Sequence, residues 1–128
     1  MKPSDFILNS DYLSIAQTGS SSHTVTVASG SLAGQGGSSE QNFNFTVPAQ
    51  AGAVDRVLIS KDGGRYYVGA YRGINPDTDI YGFINVFRTS ATNIRAQVVL
   101  ENYSASTASY PSMTFDIKVS TFKPPNVF

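Results

Sequence analysis

Three long runs in the second half of the chain alternate apolar and polar residues: Ile80 to Arg88, Ile94 to Tyr103 and Met113 to Phe122. A repeat of two puts one apolar face on each run, which is the pattern of half-buried β-strands sharing a core. Phe43, Phe45 and Val47 repeat it against Asn44 and Thr46, until Pro48 removes a ladder donor. His23 to Ala28 sets His23, Val25 and Val27 against Thr24 and Thr26. Arg56 to Lys61 and Arg65 to Arg72 flank Asp62-Gly63-Gly64, whose residues tolerate the positive φ of a tight hairpin.

Weaker signals fill the remainder. Phe6 to Leu8 and Tyr12 to Ala16 read as short strands split by the turn-forming Asn9-Ser10-Asp11. Ser29 to Asn42, rich in Gly and Ser, reads as a long surface loop. Gly73 to Asp79, Thr89 to Asn93 and Ser104 to Ser112 read as connections, so the strands from Arg56 to Tyr103 form a meander. Lys123-Pro124-Pro125 forbids further pairing.

About seven to nine strands, closely spaced turn signals and no helical period predict an all-β fold, an antiparallel β-sandwich. A jelly-roll arrangement and a small barrel are the variants left open. The 128 residues read as one domain, with residues 1–22 as an amino-terminal arm or strands and residues 123–128 as an extended tail. The expected core includes Phe43, Phe45, Leu58, Ile84, Val86, Val98, Leu100, Phe115, Ile117 and Val119.

Several runs are apolar on both faces. Ile80, Ile84 and Val86 alternate with Tyr81, Phe83 and Phe87, while Tyr66, Val68 and Ala70 alternate with Tyr67 and Tyr71. A two-layer sandwich buries only one face of each sheet. The second face, with Tyr67, Tyr71, Tyr81, Phe83 and Phe87, is therefore expected either to lie under the amino-terminal segment or a loop, or to meet a partner. Tyrosines near one hairpin (Tyr66, Tyr67, Tyr71 and Tyr81) could stack on sugar rings, but tryptophan is absent, and structural packing or an interface is the favoured reading.

Chemistry is sparse. Without cysteine there is no disulfide, thiolate metal site or thiol nucleophile. Nine Lys and Arg balance nine Asp and Glu, so the charge that nucleic-acid binding normally requires is lacking. The lone His23 lies in phase with Val25 and Val27, which suits a core or strand-edge histidine better than a catalytic base, and no nucleophile elbow accompanies any serine. Asn75-Pro76-Asp77-Thr78-Asp79 resembles the start of a calcium loop, yet Ile80 replaces the turn glycine and Val86 the bidentate Glu. An ordinary Asn-Pro-Asp turn is expected instead. Glu101 and Asp116 read as neighbours on adjacent strands, in an exposed cluster with Arg95 and Lys118 rather than as a glycosidase pair. Asn44-Phe45-Thr46 and Asn102-Tyr103-Ser104 are formal glycosylation sequons, expected to be incidental. The expectation is a non-enzymatic protein with no catalytic residues, metal or cofactor.

The apolar trio Phe6-Ile7-Leu8 is too short for a signal peptide, and no stretch is long enough to span a membrane as a helix, so synthesis in the cytoplasm is expected. The opening Ser4-Asp5-Phe6-Ile7-Leu8-Asn9-Ser10-Asp11-Tyr12 resembles the start of small proteins found among phage and prophage structural genes. The resemblance covers that stretch and the general plan of a Ser/Thr/Gly-rich β-domain with an extended tail, and it carries no functional residue onto this chain. It implies a virion component (tail, tail tip, fibre or head decoration) that is assembled in the host cytoplasm and associates with itself or with other virion proteins. The alternative is a β-sandwich module that binds a carbohydrate or the host surface, for example a host-surface glycan.

Overall fold

The computed structural model describes residues 16–48 and 54–123. These form ten strands and no helix: β1 (Ala16–Val27), β2 (Gly30–Leu32), β3 (Ser38–Thr46), β4 (Val54–Lys61), β5 (Tyr66–Val68), β6 (Ala70–Asp77), β7 (Ile80–Ser90), β8 (Asn93–Asn102), β9 (Ala108–Tyr110) and β10 (Met113–Lys123). They pair antiparallel into a first sheet ordered β1-β10-β4-β5, a second ordered β3-β8-β7-β6, and the small ladder β2-β9. The two four-stranded sheets pack around one core as a β-sandwich, without establishing the jelly-roll arrangement. The expected short strand Phe6 to Leu8, all of the expected strand Tyr12 to Ala16 except Ala16, the resembling segment 4–12 and the tail from Pro124 lie outside the described residues.

Period-two alternation places the core. Along β8, Ile94, Ala96, Val98 and Leu100 are buried while the residues between them are half-exposed. Along β10, Met113, Phe115, Ile117 and Val119 face them from the other sheet. Each such side chain contributes about 1.5–3 kcal/mol when fully buried. Phe43, Phe45 and Val86 pack half-buried against this cluster. Leu58 does not join it, contrary to expectation. The β4–β10 register sets Ile59 opposite Ile117 and Val57 opposite Val119, so those two point inward and Leu58 turns to the outer face, half-exposed.

The expected hairpin and meander are both cut by one residue. Gly69 has φ +82°, and the run from Arg65 to Arg72 breaks there: β5 stays with β4 in the first sheet, while β6 crosses to the second. Alternation is reset at that point, because a left-handed residue does not continue the pleat. The meander is therefore β6-β7-β8 alone.

The expected loop Ser29 to Asn42 instead holds β2 and the first half of β3, and the expected loop Ser104 to Ser112 holds β9. Likewise β6 runs through to Asp77, shortening the expected 73–79 loop to a turn, and β1 starts at Ala16, so residues 16–22 belong to a sheet. These polar segments are strands because distant partners complete their ladders: Ser38 to Thr46 pairs with Asn93 to Glu101 of β8, and Gly30 to Leu32 with β9. Asn102, fully buried, organises the junction. Its Nδ2 donates to the carbonyls of Leu32 (3.0 Å) and Ser106 (2.8 Å), and its Oδ1 accepts from the Ser104 amide (2.9 Å) and hydroxyl (2.8 Å).

Candidate functional site

The five aromatics expected on one surface divide between two environments. Tyr71 pairs with Ile84 on the inward side of β6 and meets Phe115 edge-on at 6.3 Å, so it packs half-buried against the core. Tyr67 belongs to the first sheet, opposite Ile59, and its ring meets Tyr71 at 4.7 Å. Tyr66 points the other way, beneath the Lys118 ammonium at 4.7 Å. Tyr81, Phe83 and Phe87 do share a surface, the outer face of the second sheet.

That face follows from register. On β7 the outward residues are Tyr81, Phe83, Asn85 and Phe87, and opposite them on β8 stand Glu101, Val99, Gln97 and Arg95. Glu40, Asn42 and Asn44 of β3 flank β8 on its other side. Polar groups on this surface hold one another: the Gln97 amide donates to the Glu40 carboxylate, and Arg95 Nε donates to Asn44 Oδ1 at 3.2 Å. The Arg72 guanidinium lies 5.6 Å over the Phe83 ring. Tyr81 and Phe87 remain 38% and 42% exposed, which leaves aromatic area in water at both ends of the face.

Beyond the last pair of β6 and β7, Asp77 with Ile80, the turn opens a shallow cleft of about 860 Å³ lined by Asp77, Asp79, Tyr81, Tyr103 and Ser104 together with Asn75-Pro76. Asp77 Oδ1 accepts the Asp79 amide at 3.0 Å, which makes the Asn-Pro-Asp segment the turn expected of it. The Tyr103 amide donates to the Asp79 carbonyl at 2.9 Å and ties the turn to the end of β8. The Tyr103 hydroxyl donates to Glu101 Oε2 at 3.2 Å, and the negative charge of Glu101 holds that phenol above its ordinary pKa. Sequence reading marked the oxygen-rich turn but missed Tyr103, which reaches it only through the β8 ladder.

The remaining candidates are separated. Glu101 lies on the second sheet and Asp116 on the first, so the expected cluster with Arg95 and Lys118 does not form. Asp116 instead accepts from Thr24 at 3.2 Å. Strands β8 and β10 are consecutive long strands in sequence, but β10 returns to the opposite layer, between β1 and β4. His23 stacks on Phe45 at 4.6 Å between the sheets, with Nε2 2.9 Å from Ser21 Oγ, and desolvation lowers its pKa. Of the two sequons, Asn44 is exposed on β3, whereas the Asn102 side chain is enclosed and fully engaged. Among the described residues there is no group of three metal-ligating side chains.

No protein-family model, curated protein or solved structure matches the chain. The described residues define an antiparallel β-sandwich with one aromatic outer face and one cleft beside it.

Proposed function

We propose that this chain is a non-enzymatic structural subunit that assembles with a second copy of itself through the outer face of the second sheet. The carrying observation is the row Tyr81, Phe83 and Phe87, exposed or half-exposed on a sheet face rather than dispersed singly.

The same face is self-complementary in charge. A twofold axis in the plane of the interface, crossing the strands between Gln97 and Val99, would set Glu101 and Tyr81 of one copy against Arg95 and Phe87 of the other. Opposite charges would meet at both ends, with Phe83 and Val99 near the centre. Net charge of zero adds no long-range repulsion between copies.

The phage or prophage particle is the setting we propose, as a tail, tail-tip, fibre or decoration component. Its support is the resemblance of Ser4 to Tyr12 to phage structural proteins, together with a Ser/Thr-rich β-domain built for surfaces. Light scattering on the purified chain and on a Phe83→Ser, Phe87→Ser variant tests self-assembly. An oligomer that the variant converts to folded monomers supports it, whereas a wild-type chain that stays monomeric at high concentration overturns it.

A further inference from the structure

We propose that the cleft at the β6–β7 turn binds a neutral saccharide, stacked on Tyr103 and hydrogen-bonded through the Asp79 carboxylate. This goes beyond self-association and is tested at residues away from the outer face's centre.

The chemistry of the lining selects the ligand class. Tyr103 is 65% exposed and stands outside the row Tyr81, Phe83 and Phe87, so its ring offers surface to the C–H face of a sugar. The Asp79 carboxylate makes no protein hydrogen bond among the described residues, and Asp77 commits only Oδ1, to the turn. These oxygens are acceptors for sugar hydroxyls, which form stronger bonds to an ionised partner. Because the lining has two carboxylates and no cationic side chain, it disfavours an anionic ligand.

The walls are also set in advance. The Asp77 Asx turn, the Tyr103 amide on the Asp79 carbonyl, and the Tyr103 hydroxyl on Glu101 fix both sides relative to β8. The Ser104 hydroxyl shares its one hydrogen between Asn102 Oδ1 (2.8 Å) and the Ser106 carbonyl (2.7 Å), so it holds the loop rather than the ligand. A volume near 860 Å³ falls within the usual range for small-molecule sites.

Amide-resolved NMR titration with methyl glycosides of glucose, galactose, mannose and N-acetylglucosamine and their short oligomers, with sialyllactose as the acidic comparator, is the test. Saturable shifts confined to residues 77–81 and 103–104 are expected with at least one neutral probe. Tyr103→Ala and Asp79→Asn should each weaken that binding about tenfold or more, with unfolding midpoints unchanged. The proposal is overturned by an absence of saturable shifts with every neutral probe, by binding that both variants leave intact, or by sialyllactose binding more tightly than the neutral sugars.

Discussion

Replacing Asn102 with Ala removes four hydrogen bonds from the junction that converts two polar segments into strands. The Ser104 and Ser106 partners are near solvent and can rehydrate, but the Leu32 carbonyl belongs to a buried residue and loses its Asn102 partner. An unsatisfied buried acceptor costs about 1–3 kcal/mol, and the lost bonds to partly buried partners add about 0.5–1.5 kcal/mol each before rehydration is discounted. The expected loss is therefore about 2–4 kcal/mol, an appreciable part of a typical domain's stability. Urea unfolding followed by tyrosine fluorescence reads it as a lower midpoint at unchanged slope. Amide exchange should accelerate at Gln35 and Gly36, which donate to the Ser104 and Asn102 carbonyls at 2.7 and 2.9 Å. Asn102→Asp keeps the acceptor but loses both donors and buries a charge, so its defect should lessen as pH falls and the carboxyl is neutralised. A midpoint for Asn102→Ala indistinguishable from wild type, with Gln35 and Gly36 still protected, would refute the assigned role.

Two further predictions concern the core. Phe115 is fully buried against Tyr71, and Phe115→Ala should cost about 3–5 kcal/mol, read as a large drop in Tm. Burial holds the His23 imidazole below its ordinary pKa of 6.5, so the unfolded state binds the proton first. Its contribution is complete above that value and is lost as pH falls through it towards the folded pKa. Stability should therefore decline as pH falls below about 6.5, and a His23→Gln variant should decline less steeply there.

The long strands β7, β8 and β10 were legible because an apolar residue, mostly Ile, Val, Leu, Phe, Met or Ala, recurs at nearly every second position. β4 was legible as a strand but not in phase: Val57, Leu58 and Ile59 are consecutive apolar residues, and only the pairing with β10 decides which face each takes. The Ser29 to Asn42 segment hid β2 and most of β3 because Gly and Ser carry little periodic signal, and its structure depends on β8 and β9 more than fifty residues away. Gly69 looked like a small residue within a strand, although its positive φ divides one sheet from the other. The candidate site was half legible for the same reason. Tyr81, Phe83 and Phe87 share a face by local alternation, whereas Tyr71 is drawn inward by the Gly69 break and Tyr103 reaches Asp79 only through long-range pairing.

The central claim, self-assembly through the outer face of β3-β8-β7-β6, is tested most directly by charge reversal at the two ends of β8. Arg95 and Glu101 are six residues apart on one strand, about 20 Å, so any strong coupling between them must act between copies. Sedimentation equilibrium should show that Arg95→Glu and Glu101→Arg each weaken association, and that the double reversal recovers most of the loss because each new charge again meets its opposite. Losses that simply add in the double variant, or a wild-type chain that sediments as a monomer throughout, would contradict the account.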